Sequence, residues 1–244
     1  MYLLGLDLGQ ASDYSALAIA RRREERGVAS YDLPWLERYA LGTSYPAIVA
    51  AVVARVAQLA RQEPTVPRVL VVDATGVGRP VVDLLVRARR AARLVAVTIT
   101  GGDQATHDGP QWRVPKRELV STAQVFLQSK RLHVASALPE AAALTRELLA
   151  FQVKINAQTA NDSYGSWREG SHDDLVLAVA LALWAGERPE VRGRPFTTSV
   201  GGERPRLDGP PLTDQQMVAP FDGRGLGPMH EAPIEDIMRR NRGY

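Results

Sequence analysis

The chain contains no cysteine, which excludes disulfides and thiolate metal sites and suits an intracellular protein. No apolar run approaches the roughly 18 residues that a bilayer-spanning helix requires. No basic segment precedes an apolar stretch at the N-terminus, so no signal peptide is expected. Internal repeats are also lacking. Charge of one sign is barely in excess, at a formal +3, which permits nucleic-acid binding without demanding it. Arg greatly outnumbers Lys, a balance that suits phosphate recognition as well as solubility. What is present is ordinary for a globular protein: 244 residues, 45% apolar and 23% charged. That is enough for one good-sized domain, or a domain with a tail.

The first fifteen residues, MYLLGLDLGQASDYS, organise the reading. Leu3 to Leu8 is a short apolar run of the kind that forms a buried strand, and Gly9 with the small residues after it reads as a turn. Asp7 lies inside that run, where a carboxylate is costly unless a hydrogen-bond network or a cation compensates it. Ser15 to Arg22 alternates as a second strand, and Val28 to Leu41 gives a third, irregular one broken at Pro34, so the chain opens as an antiparallel meander. Pro46 to Arg61 has helical periodicity, stopped by Pro64 and Pro67. Val69 to Val72 is a buried strand ending in Asp73 and a glycine-containing turn. A helix follows from Pro80, with proline in its first turn and arginines near its end, then a strand from Leu94 to Thr100.

Thr100 to Trp112 reads as a mobile loop. Pro115 opens a helix, Leu132 to Ala135 is a short strand, and Leu138 to about Ala150 is a further helix. Phe151 to Ile155 and Ser163 to Trp167 read as the arms of a hairpin around NAQTAND. Gly170-Ser171-His172 leads into DDLVLAVALALWAG, an apolar helix that begins at Asp173 and Asp174. Past Gly186 the character changes: half of the 16 prolines lie there, with little periodicity beyond a short amphipathic piece at Ile234 to Met238. The expected division is a domain over 1–188 and a flexible Pro/Gly-rich tail over 189–244.

The order β-β-β-α-β-α-β with later helices predicts an α/β fold: a mixed five-stranded sheet with helices on both faces. In the usual solution the strand after the first helix lies beside strand one, which puts Asp7 next to Asp73. Taken singly, each acid has a plain explanation. Asp7 and Asp73 would cap turns, and Asp173 and Asp174 would complement a helix dipole. Jointly they point further. If the late helix crosses the sheet, three carboxylates converge, and carboxylates so close are stable as anions only around cations. All-oxygen ligation favours Mg²⁺ or Mn²⁺. Two such ions, roughly 3.5–4 Å apart, activate water and stabilise the leaving oxygen in phosphodiester cleavage.

The segments GLDLGQASDYSALAIA, VLVVDATGVGRPVVDLL, VPKRELV and GSHDDLVLAVALALWA, in this order and spacing, resemble the nuclease domain of phage large terminase subunits. The resemblance covers about residues 1–188. It implies a ribonuclease H-like fold, akin to RuvC-type resolvases, and a metal-dependent endonuclease that cuts concatemeric viral DNA during genome packaging in the host cytoplasm. It also implies two Mg²⁺ or Mn²⁺ ions held by Asp7, Asp73 and Asp173 or Asp174, the last two left open. Double-stranded DNA is the expected substrate, and a separate packaging ATPase, a small terminase subunit or a portal are expected partners. Full terminase subunits also carry an ATPase domain with a G-x-x-x-x-G-K-[ST] loop. None occurs here, so the expectation is an ATPase on another chain or a stand-alone relative, with no motor activity in this chain.

Other residues carry weaker readings. Lys116 and Arg117 open a helix, where positive charge opposes the dipole, so either they bind DNA phosphate or they sit on a solvated face. Lys154, Arg168 and the hairpin tip Asn156 to Asp162 are candidate DNA contacts. His172 either orients water or phosphate or caps the helix, and Asp13 reads as a solvated loop residue. Trp112 and Trp167 read as packing residues, and no catalytic role is expected of Asp103 or Asp108. The rivals are a RuvC-type junction resolvase, a non-catalytic DNA-binding protein, and an actin- or sugar-kinase-like ATPase, which shares G-x-D-x-G but needs a longer chain and a second Asp-x-Gly loop.

Overall fold

The computed structural model describes residues 1–9, 13–76, 78–88, 91–158 and 173–193. The meander is present: β1 (Tyr2–Asp7), β2 (Ser15–Glu25) and β3 (Val28–Tyr39) pair antiparallel in sequence order. Helix α1 (Tyr45–Gln62), which starts with proline in its first turn and buries Ile48, Val49, Val52, Val56 and Leu59, carries the chain across to β4 (Arg68–Asp73). As expected, β4 lies beside β1 and parallel to it. Helix α2 (Gly78–Ala88) leads to β5 (Arg93–Thr100), parallel to β4.

The sheet then outgrows the expected five strands. β6 (Thr106–Asp108), β7 (Gln111–Pro115) and β8 (Leu132–Val134) extend it to eight, in the order β6-β7-β5-β4-β1-β2-β3-β8. The stretch read as a mobile loop therefore holds β6 and the start of β7, which pairs parallel with β5. Helix α3 (Lys116–Gln128) joins β7 to β8, and α4 (Ala141–Gln158), α5 (Asp174–Glu187) and the short α6 (Pro189–Arg192) follow β8.

Two further expectations are corrected. Phe151 to Ile155 is not a hairpin arm but the last turns of α4; no glycine or proline interrupts the chain between Pro139 and Gly165, so the helix simply continues. The second arm, Ser163 to Trp167, lies outside the described residues, as does 194–244. Pro34 does not break β3. Ile19 faces Trp35 and Arg21 faces Asp32, so Ala20 stands against both Leu33 and Pro34. This is a bulge, where a residue without an N–H is tolerated.

Strand alternation sorts the sheet into two faces. Tyr2, Leu4, Leu6, Leu70 and Val72 face α1 and α2, while Leu3, Val69 and Val71 face the layer of α3, α4 and α5. Helix α5 is apolar all round and accordingly buried, packed on β1 and β2 and flanked by α3 and α4. Its seat is made by small residues. Ala16, Ala18 and Ala20 line β2 beneath it, and at Gly5 a Cβ would stand 1.9 Å from the Ala178 carbonyl oxygen. The helix backbone thus rests directly on β1. The packed structure runs past residue 188: Val191 is fully buried, and Arg93 holds the carbonyls of Glu190, Val191 and Gly193. Among the described residues, no helix is long and apolar enough to cross a membrane.

Candidate functional site

Asp7 closes β1 two residues after Gly5, so both belong to the face that α5 covers. The β1–β4 ladder ends at the pair Leu6 and Val72. One step on, Asp7 and Asp73 end adjacent strands, whose backbones run roughly 5 Å apart. Asp73 lies opposite Val97 of β5, a residue of the same face. Helix α5 brings the third carboxylate. Asp174 is its first residue and stands one turn before Ala178, the residue in contact with Gly5. Residues four apart share a helix face, so Asp174 is directed toward β1. All three are buried: 7% exposure at Asp7, 1% at Asp73 and 6% at Asp174. Asp173, the N-cap residue, is half-buried and makes no side-chain cap bond.

Local hydrogen bonds fix these positions. Asp73 Oδ1 accepts the Thr75 N–H at 2.7 Å, and the Thr75 hydroxyl accepts the Ile99 N–H, tying the β4 turn to β5. The Gly9 N–H donates to Ser15 Oγ and the Tyr45 hydroxyl donates to the Gly9 carbonyl, anchoring the exit of β1. A shallow cleft of about 240 Å³, lined by Gly9, Asp13, Ser15, Gly42, Thr43 and Tyr45 among others, opens beside this turn. Asp13 is exposed at its rim, in keeping with a solvated loop residue.

Two residues that the sequence did not single out complete the cluster. Glu147 of α4 is buried, and its Oε2 accepts the N–H groups of Leu175 (3.1 Å) and Val176 (3.4 Å) at the start of α5. Arg38 of β3 lies on the register row that runs through Ala16 to Asp7. Its guanidinium donates to Glu147 Oε1 and stands 3.9 Å from Asp174 Oδ2. The signal for Glu147 was a lone carboxylate between Leu144 and Leu148 on the buried stripe of α4; that for Arg38 was its alternation with Leu36 on an inward strand face.

The remaining candidates divide. Lys116 is half-buried and opens α3 at the C-terminal end of β7, the same end of the sheet as Asp7 and Asp73. Arg117 is exposed and turned toward Asp103, whose carbonyl and carboxylate it holds at 2.6 and 2.8 Å. Trp112 is a packing residue as expected, edge-on to Trp184 with His107 stacked over it. Lys154 falls in α4, not on a hairpin. Arg168, His172 and Trp167 lie outside the described residues.

Among the described residues, no three or more acidic or imidazole side chains stand close enough together to hold a metal ion as they lie. The donors are nonetheless of one kind. They are buried carboxylates, on one face and at one end of the sheet, and that chemistry fits a hard divalent cation. No thiolate exists to recruit a softer metal.

Comparison with known proteins bears on this arrangement. Residues 4–185 match the family model of the terminase RNaseH-like domain. Among solved structures, the human cytomegalovirus terminase nuclease domain is similar in its Mn-soaked form, at 14% identity and a TM-score of 0.48 over 77% of this chain and 84% of that one. The Mn-soaked, inhibitor-bound form of that domain gives 14% and 0.49, over 78% and 84%. RuvC of Thermus thermophilus gives 14% and 0.30, over 76% and 93%. No curated protein matches the sequence. The family match spans about three quarters of the chain, from within β1 to within α5: the chain belongs to the terminase RNaseH-like domain family.

Proposed function

We propose that this chain is a divalent-metal-dependent endodeoxyribonuclease that hydrolyses phosphodiesters of double-stranded viral DNA, acting on concatemers during genome packaging. The observation that supports the reading is that Asp7, Asp73 and Asp174, from three separate elements, are buried at one end of the sheet on the side that α5 covers. Buried carboxylates gathered at one end of a sheet carry a desolvation cost, and a bound divalent cation is one way to offset it.

In this reading Asp7, Asp73 and Asp174 hold Mg²⁺ or Mn²⁺, two ions in the full site, with Asp173 at its edge. When bound, such ions supply a nucleophilic hydroxide at neutral pH and stabilise charge on the leaving oxygen. The chain's own part is placement. Asp7 and Asp73 are fixed by strand register and by the Thr75 turn. Asp174 is fixed by the contact of α5 with Gly5. Lys116, at the same end of the sheet, meets the phosphate backbone outside the scissile bond, and Lys154, Arg168 and His172 extend that contact. Arg117 contributes by holding the Asp103 loop rather than by touching DNA. Contacts of this kind carry little sequence information.

The test is cleavage of supercoiled plasmid by the purified chain with Mn²⁺, with Mg²⁺ and with EDTA. Nicking that requires the metal and vanishes in EDTA is expected. Comparing Asp173→Asn with Asp174→Asn then assigns the helix ligand, the larger loss being expected at the more buried Asp174. Metal-independent behaviour, or stabilisation by ATP in place of nicking, overturns the reading.

A further inference from the structure

The first turn of an α-helix leaves backbone N–H groups without partners, and an Asp at the N-cap normally accepts one of them with its own side chain. In α5 it does not: Asp173 makes no side-chain cap bond. The acceptor comes from another helix. Glu147 takes the second and third N–H groups of α5, from Leu175 and Val176. Its other oxygen takes the guanidinium of Arg38. Glu147 is therefore engaged on both sides while itself buried.

Arg38 has a second carboxylate within reach, since its Nε lies 3.9 Å from Asp174 Oδ2. The two acids compete for one cation, and the geometry gives Glu147 the bonded position and leaves Asp174 at the margin. Arg38 is tethered further by the Tyr14 ring, whose centroid is 5.2 Å from the guanidinium carbon. An arginine bonded fully to Asp174 would occupy lone pairs that a metal ion needs and would add a like charge beside it.

We propose that Glu147 is a positioning residue for the metal site: it caps α5 in place of Asp173 and restrains Arg38, so that the guanidinium does not close onto Asp174. The inference rests on the nuclease reading of Asp7, Asp73 and Asp174. It separates two roles that a buried ion pair ordinarily merges, stability of the fold and occupancy of the neighbouring carboxylate. Without Glu147 the arginine turns to the next acid, and that acid is Asp174.

The consequence is a double-variant pattern that a purely structural ion pair does not give. The full chain is prepared as wild type, Glu147→Gln, Arg38→Gln and the double variant. Mn²⁺ binding is read without DNA from the electron paramagnetic resonance of the free ion, alongside each protein's melting temperature. Glu147→Gln keeps the shape and one acceptor oxygen, yet releases Arg38, and Mn²⁺ affinity is expected to fall about tenfold, the low end of one charge-assisted hydrogen bond. Arg38→Gln removes the competing cation and is expected to bind Mn²⁺ at least as tightly as wild type. The double variant is expected to recover the affinity lost in Glu147→Gln even though it melts lower than wild type.

Equal Mn²⁺ affinity in wild type and Glu147→Gln overturns the inference. So does a double variant no tighter than Glu147→Gln. Should Glu147→Gln not fold, Arg38→Gln alone decides, because a marked loss of Mn²⁺ affinity there means that Arg38 supports the site instead of threatening it. These outcomes leave the nuclease reading standing. A wild-type chain that binds no Mn²⁺ removes that reading and this inference together.

Discussion

Asp32 and Asp73 are equally buried, at 1% exposure each, and lie near opposite ends of the same sheet, yet their surroundings differ in kind. Asp32 sits among bases. Arg23 donates to one carboxylate oxygen and His133 lies 3.2 Å from the other, directly across the β3–β8 register. Around them Arg21 pairs with Glu63, and Arg22 with Glu24 and Glu187. That end of the sheet is a lattice of matched charges. At the other end Asp73 accepts an amide from its own turn and stands among acids: Asp7 beside it, Asp174 and Glu147 above, with Arg38 bonded to Glu147. Burial alone therefore does not distinguish the two carboxylates; the side chains around each one do.

The sharpest way to break this comparison is to remove one acid from each end. Asp7→Ala and Asp73→Ala are expected to abolish Mn²⁺-dependent plasmid nicking. Their melting temperatures should stay near wild type or rise, since each deletion relieves repulsion among buried anions. Nicking at the wild-type rate in Asp7→Ala would falsify the site. Asp32→Ala should do the opposite, lowering stability while the folded protein still nicks. The exposed side of Arg23 and the partial exposure of His133 limit the loss to about 2 kcal/mol, roughly 4–8 °C in a chain of this size. If both substitutions cost the same stability and the same activity, the two ends do not differ as described.

Why the acidic end was only partly legible follows from how each of its residues is specified. Asp7 and Asp73 are strand-end residues of apolar runs followed by glycine-containing turns, and Asp174 begins an apolar helix. Each is defined by neighbours in sequence, and topology rules then bring them together. Glu147 and Arg38 are defined by partners 109 residues apart; in sequence one is a helix-interior glutamate and the other an ordinary strand arginine. The meander, both crossovers and the two-faced helix layers were readable from period and punctuation. Of the outer strands, β8 was readable and β6 and β7 were not. β6 has three polar residues, and β7 gains its strand character by pairing with β5 across an intervening loop. The bulge that admits Pro34 likewise depends on a partner strand, since Ala20 must accommodate two residues opposite.

A second test concerns the seat of α5, whose first residue belongs to the acidic end. Any side chain at Gly5 must displace the Ala178 carbonyl, which is backbone and cannot swing aside. Gly5→Ala is expected to cost about 3 kcal/mol by overpacking, roughly 6–12 °C in melting temperature. Because Asp174 rides on the same helix, Mn²⁺ affinity should weaken in whatever protein remains folded. A variant that melts like wild type would show that α5 does not rest on β1 as described. Gly27, in a left-handed turn of the β2–β3 hairpin with open space around it, is the control: Gly27→Ala is expected to cost only about 1 kcal/mol, from backbone strain alone.

The smallest effect belongs to the matched end and appears only at high pH. The Tyr2 hydroxyl donates to Glu63, which Arg21 also holds. Burial, and then the bond to the Glu63 carboxylate, push the Tyr2 phenol up from its ordinary 10.0 to about 12. A group whose pKa is raised by folding holds its proton more tightly in the folded chain. Its contribution to stability is therefore complete below pH 10 and is lost as pH rises toward 12. Tyr2→Phe should cost about 1 kcal/mol at neutral pH through the lost hydrogen bond. The gap between variant and wild type should then narrow between those two pH values, as wild type alone loses the phenol's contribution. Melts of both proteins from pH 8 upward measure it. A gap that stays constant through pH 12 would mean that the phenol is not held by Glu63, and the lattice of matched charges would lose the contact that ties β1 to the end of α1.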